Sequence, residues 1–243
     1  MPLTFAHPAA VLPFYRNNKY INFSAMVIGS MAPDFEYFLR GRPYGDIGHT
    51  LLGFFYFNLP LALVVYLVYH LFIHQTFSTH LPKFLQGFHT RNIVTDYKFK
   101  PIVWIYSTLF GMLTHVLWDS FTHISGFMVA RIPLLTNSIN FNGFSFPIFK
   151  VIQHTSTLFG LILISGLFII KSYLNKSDLI VLISVRHKLS YWTLIFISTL
   201  ALFLMWNILN NVSFKNYGTL VVRVIDSSFL SLLIVSIYFK YRK

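Results

Sequence analysis

The chain has 243 residues, of which 55% are hydrophobic, 19% aromatic and only 11% charged, with a net charge of +12. A soluble domain carries about 25% charged residues, so the composition excludes an ordinary soluble fold and points to a membrane protein. There is no cysteine, which excludes disulfides, thiolate metal sites and thiol catalysis. The basic residues sit between apolar runs and at the C-terminus, as in Lys240, Arg242 and Lys243, a placement that fits anionic lipid and not nucleic acid.

Residues 1–50 mix polar and apolar side chains and hold five prolines, Pro2, Pro8, Pro13, Pro33 and Pro43. They are too interrupted to cross a bilayer. No charged leader precedes an apolar core, so no cleaved signal peptide is expected. Three candidate metal ligands fall here: His7 in Phe5-Ala6-His7-Pro8, Asp34 after Gly29-Ser30-Met31-Ala32-Pro33, and His49 in Gly48-His49-Thr50.

The first membrane-length run extends from Leu51 to Ile73, interrupted by Asn58-Leu59-Pro60. His70, His74, His80 and His89 lie at or beyond its far end and are expected to be dispensable. A basic loop with Lys83, Arg91, Lys98 and Lys100 follows at 74–101. The second run, from Ile102 to about Phe121, closes on Thr114-His115-Val116-Leu117-Trp118-Asp119-Ser120-Phe121-Thr122-His123. His115, Asp119 and His123 are spaced by four, which places them within roughly 80° of one another on a helix face at about 100° per residue. A carboxylate between two imidazoles is a metal-ligand arrangement. At the end of a membrane helix such groups are costly unless they are paired or bind something.

Residues 124–153 read as a loop rich in Phe, Asn, Gly and Ile, with His154 just before a third run that starts at Ser156. Two further runs, Tyr191 to Leu209 and Thr219 to Phe239, carry almost no chemistry. Arg223 and Asp226 lie three apart in the last and are expected to pair. The expected fold is therefore all-α: a single membrane-embedded domain of about five transmembrane helices, with a broken N-terminal segment (1–50), motif-bearing helices (51–170) and two C-terminal helices (171–243).

Topology strengthens ligands that are weak singly. His49 begins one span, His115 to His123 end the next, and His154 begins the third. In a helical hairpin arrangement all of these share one membrane face, and His7 and Asp34 join them if residues 1–50 do not cross. That face carries seven Lys/Arg, namely Arg16, Lys19, Arg40, Arg42, Arg131, Lys150 and Lys215, against eleven on the other. The richer side should be cytoplasmic, so the site is expected to face outward from a bacterial inner membrane.

The motifs HPAAVLP, GSMAPDF, GHTLLG, HVLWDSFTH and QHTS together resemble an uncharacterised bacterial membrane-protein family, a domain of unknown function, over roughly residues 1–170. More distantly, the pattern resembles bacterial inner-membrane proteins described as metal-dependent hydrolases. Its ligand order is similar to that of the zinc-dependent phospholipase C and single-strand nuclease group. That resemblance implies metal ligands at His7, Asp34, His49, His115, Asp119, His123 and His154. Three departures stand against a full three-zinc cluster: no N-terminal Trp, Leu158 where a carboxylate is expected, and a short step from Asp119 to His123. One or two divalent ions, with zinc foremost, fit better.

Several function classes remain open. A hydrolase with His115 and Asp119 at its catalytic centre would take an amphiphilic, lipid-like substrate. Arg40, Arg42 and Arg131 are then the residues best suited to a phosphate. No Gly-x-Ser-x-Gly elbow and no Gly-rich phosphate loop occurs. A small-solute or metal transporter, a haem electron carrier and a non-enzymatic protein with a structural metal are the alternatives. Membrane lipid is the expected partner in each.

Overall fold

The computed structural model describes residues 3–15, 19–86, 100–141, 143–174 and 183–242. Arg16, His89, Arg91 and Lys98, which entered the readings above, lie outside the described residues. Five helices are long and apolar enough to cross a membrane: Leu51–His80, Pro101–Asp119, Ile148–Leu174, Val185–Leu209 and Tyr217–Tyr241. The chain is thus a mostly helical, multi-pass membrane protein. It divides into two compact units, one of Met1–Asp34, Ile47–Leu63 and Lys98–Leu167, the other of Phe35–Asp46, Val64–Tyr97 and Phe168–Lys243.

The first unit holds every proposed metal ligand. It opens with a 3₁₀ segment, Thr4–Phe14, that contains Pro8 and Pro13. Each proline removes a backbone donor, so a regular α-helix does not form. Next comes α1 (Phe23–Met31), capped by the Asn22 side chain, which accepts from the Ala25 N–H. Pro33 ends it in a 3₁₀ turn, Ala32–Asp34, and α2 (Phe35–Arg40) follows in the second unit. Helix α3 (Leu51–His80) starts at Thr50, whose hydroxyl accepts from the Gly53 N–H. Two π turns, Phe54–Asn58 and Tyr69–Ile73, interrupt it.

Helix α4 (Pro101–Asp119) begins with proline in its first turn, where the missing N–H costs nothing. Its buried residues Trp104, Thr108, Gly111, Met112, His115 and Asp119 recur every three or four positions and form one inward stripe. This stripe meets α1 at backbone distance. A Cβ on Gly29 would stand 2.2 Å from the Thr108 carbonyl oxygen, and one on Gly111 2.3 Å from that of Met26. The paired glycines therefore permit a contact that no larger residue allows.

Beyond α4 the chain forms α5 (Phe127–Arg131), a 3₁₀ turn at Pro133–Thr136, and a hairpin of β1 (Ser138–Phe141) and β2 (Phe144–Pro147). Sequence reading expects only loop here. Helix α6 (Ile148–Leu174) then begins eight residues before the expected Ser156. In the second unit α7 (Val185–Leu209) packs on α8 (Tyr217–Tyr241), with the Tyr191 hydroxyl bonded to Ser236 at 2.9 Å. Arg223 donates to the Asn207 side chain at 3.1 Å and the Asn210 carbonyl at 2.6 Å. It does not form the expected ion pair with Asp226, since no such pair occurs among the described residues.

Candidate metal centre

Four separate stretches of chain deliver one ligand set. Helix α4 contributes His115 and Asp119, one turn apart on the inward stripe. The turn after α1 contributes Asp34, because Pro33 ends that helix against α4. His49 arrives from the loop before α3. There Gly48 packs so closely on Pro33 that a Cβ would lie 2.2 Å from its carbonyl oxygen. Asn58, fully buried on the π turn, donates to the Gly48 carbonyl at 2.6 Å and holds that loop. One ligand atom from each of Asp34, His49, His115 and Asp119 lies within 4.8 Å of the others.

The detailed distances are informative. His115 Nε2 stands 3.5 Å from Asp34 Oδ1 and 3.3 Å from Asp119 Oδ2. His49 Nε2 stands 3.6 Å and 3.5 Å from the same two oxygens. Charge-assisted hydrogen bonds between imidazole and carboxylate would close to about 2.7–2.9 Å. Ligands about 2.0–2.1 Å from a tetrahedral zinc ion stand roughly 3.3–3.4 Å apart. All four edges match the second figure better than the first. The tautomer agrees: His115 Nδ1 lies 2.7 Å from the Ser30 carbonyl oxygen, which can only accept, so Nδ1 carries a proton. Nε2 is then the ring nitrogen able to serve as a ligand, and it faces both carboxylates. A backbone carbonyl that orients an imidazole in this way is a common outer support of metal ligands.

Five of the fourteen buried side-chain atoms left without hydrogen bonds among the described residues lie at this point: both nitrogens of His7, Asp34 Oδ1, His115 Nε2 and Asp119 Oδ1. Buried polar atoms are normally satisfied; these could be satisfied by a proton on His115 or by a cation, and the 3.3–3.6 Å spacings suit a cation. The other oxygen of Asp34 accepts from the Thr4 hydroxyl at 2.6 Å. Burial opposes ionisation of Asp34, yet the nearby imidazoles, His115 first, hold its carboxyl below the usual carboxylate range. It is an anion at neutral pH.

Two more expected ligands stand on the far side of Asp119. His7 Nε2 and His123 Nδ1 lie 3.5 Å and 3.6 Å from Asp119 Oδ1. The His7 ring is fully buried, stacked on His115 with centroids 3.8 Å apart and edge-on to Trp118. Burial, reinforced by His115, lowers its pKa to about 3, so it is neutral and keeps a lone pair. Burial lowers His123 as well. The side chains of His49 and His123 remain 31% and 28% exposed, which leaves the group open on one side.

The remaining expected site residues lie elsewhere. His154 is exposed. Because α6 starts at Ile148, His154 falls within the helix, about 100° around from the buried Gln153. Arg40 is bound by Glu36 at 2.7 Å, with Asp46 at 3.6 Å, all within the second unit. Arg42 lies over the Tyr44 ring, also in that unit, and Arg131 stacks on Phe127 in the first. Sequence reasoning missed Thr4, Ser30 and Asn58 as supports. Of these only Asn58 left a signal, as a polar residue inside an apolar run.

Fold and site together define a polytopic membrane protein with a buried His/Asp cluster able to hold a metal ion. A family described as a domain of unknown function, DUF4184, matches residues 1–237, and the chain belongs to it. The match takes in the two C-terminal helices as well as the motif-bearing ones. No curated protein and no solved structure matches the chain.

Proposed function

We propose that the chain is a membrane-bound, metal-dependent hydrolase that acts at one membrane face on an amphiphilic substrate, with a phosphate ester as the group cleaved. The observation behind this reading is the four-atom set of Asp34, His49, His115 and Asp119, whose spacing suits a tetrahedral divalent ion, zinc foremost, better than a proton. A structural zinc site is closed by four protein ligands and shut away, whereas a catalytic one keeps an accessible position. Four protein ligands alone would fill a tetrahedral ion, so the catalytic case requires one of them, His49 at the exposed edge, to yield or share its place with water. A divalent ion held there supplies Lewis acidity and activates water.

The protein's own residues do the rest. Thr4 fixes Asp34, the Ser30 carbonyl fixes the tautomer of His115, and Asn58 fixes the loop that carries His49. Asp119 faces His115 and His49 with one oxygen and His7 and His123 with the other; His123 Nδ1 lies on the Asp119 carbonyl oxygen at 3.1 Å, so His7 and Asp119 are the residues that would hold a second ion. Arg131 is the arginine of the expected three that shares the unit with the site, and it is the one we assign to a phosphate. The similarity of ligand order to the zinc phospholipase C group supports the reaction class, and the outward orientation in a bacterial inner membrane rests on the Lys/Arg count.

The test compares short-chain phosphodiesters, phosphomonoesters and acyl esters, using metal-loaded, metal-stripped and Asp119→Ala protein. Metal-dependent turnover of a phosphoester is expected. Stoichiometric metal without turnover across the whole panel would overturn the hydrolase reading in favour of a structural ion.

A further inference from the structure

The segment between α4 and α6 has two sides of different character. Its inner side is packed: Val129, Leu135 and Phe149 form a buried cluster with Phe121, Ile148 and Ile152 against it. The Ile148 N–H donates to the Asn137 carbonyl at 2.8 Å and closes the base of the hairpin. From that base β1 and β2 project as a two-stranded ribbon, paired Ser138 to Pro147, Ile139 to Phe146, Asn140 to Ser145 and Phe141 to Phe144. Gly143 in the turn has φ +79°, a conformation glycine adopts readily.

Directly paired residues share a face of the ribbon, and the face alternates at each step. Ile139, Phe144 and Phe146 therefore fall on one face, and Asn140 and Ser145 on the other. The Phe144 and Phe146 rings are 6.2 Å apart, in keeping with a shared face. Yet Ile139, Phe144 and Phe146 are 49%, 68% and 46% exposed. An isolated two-stranded hairpin is marginal in water, and one that leaves its apolar face uncovered is more so. Ile124, Phe127 and Leu134 add further exposed apolar surface to the same segment.

We infer that the β1–β2 hairpin is an interfacial anchor whose apolar face lies in the lipid leaflet at the membrane face where α4 ends and α6 begins. Consecutive spans fix that location, because a 28-residue connection between the end of one crossing helix and the start of the next stays at a single bilayer surface. Composition fits it too. Residues 120–153 contain no Asp or Glu, and their only charges are Arg131 and Lys150, which suit anionic headgroups. Phe and Leu are residues that amphipathic elements bury at the headgroup–acyl boundary. The inference rests on the membrane spans and stands without the hydrolase reading.

The absence of native cysteine makes the test direct. Phe144→Cys, Phe146→Cys, Asn140→Cys and Ser145→Cys are each spin-labelled in the full chain, reconstituted in vesicles of phosphatidylethanolamine and phosphatidylglycerol. Collision with oxygen should exceed collision with a water-soluble nickel chelate at 144 and 146, with the order reversed at 140 and 145. Equal water exposure at all four sites would overturn the anchor, as would dipolar broadening that shows a second copy covering the hairpin. The unlabelled wild type gives a second measure that needs no substitution. A phospholipid bearing a carbene precursor should label residues 139–146, and their escape from labelling would also overturn the inference.

Discussion

Polar groups are buried in membrane-length helices in both units, and the two solve the problem differently. In α8 one guanidinium nitrogen of Arg223 donates to the Asn207 side chain and the Asn210 carbonyl, donor to acceptor, while its Nε is left without a hydrogen bond. In α4 His115 Nε2 faces carboxylate oxygens of Asp34 and Asp119 at 3.5 and 3.3 Å, longer than a charge-assisted hydrogen bond and close to the spacing of ligands on one ion. The first arrangement pairs a cation with protein oxygens, although Arg223 Nε and Asp226 Oδ2 stay without hydrogen bonds. The second offers four ligand atoms that could hold a metal ion. Burial of polar residues in a span therefore does not itself mark a functional site; convergence of several ligand atoms at metal-like spacing is the stronger sign.

The sharpest way to break this contrast is Asp119→Ala. Asp119 faces four imidazoles, so its loss should remove bound metal almost completely. Loss of a supporting residue typically lowers metal affinity about 10- to 100-fold, and loss of this ligand should exceed that range. Elemental analysis of purified protein measures it. His115→Ala should come close behind. Metal retained at wild-type stoichiometry in Asp119→Ala would show that the cluster does not depend on this carboxylate to hold an ion.

The next effect is on packing. Gly29→Val introduces a side chain where even a Cβ would lie 2.2 Å from the Thr108 carbonyl oxygen. Overpacking of this kind costs about 1–3 kcal/mol. It should also shift the Ser30 carbonyl away from His115, so the thermal midpoint and metal content should fall together. A lower midpoint with unchanged metal would separate the helix contact from the site.

A smaller effect is expected for Thr4→Val. The shape is kept, but the hydroxyl that donates to Asp34 Oδ2 at 2.6 Å is lost. As an outer support, it should lower metal affinity about 10-fold with little change in fold, as read by metal titration against a competing chelator.

Much of this was legible in the sequence, for physical reasons that differ by residue. The crossing helices declare themselves by apolar length, and His115 and Asp119 by a four-residue step on one face. Asp34, His49 and His7 could be gathered by asking which span ends share a membrane face. The supports were hidden because they act through local geometry. Ser30 contributes a backbone carbonyl that every residue possesses, and it reaches His115 only because Gly29 and Gly111 let two helices touch. Thr4 lies in a proline-interrupted 3₁₀ segment without a periodic face. The hairpin escaped because its strands are only four residues long.

His154 gives the smallest expected effect and sharpens the comparison from the opposite direction. The apolar run seemed to begin at Ser156 because Lys150, Gln153, His154 and Thr155 dilute the hydropathy before it. Helix propagation needs no apolarity, and α6 already starts at Ile148. That start carries His154 onto an exposed face while Gln153 turns inward. His154→Ala should therefore leave metal content, thermal midpoint and any turnover unchanged. His74→Ala, in the second unit, should leave metal content unchanged too. If His154→Ala removed metal as Asp119→Ala does, α6 would have to present its other face to the cluster, and the ligand set would be larger than the four that stand together.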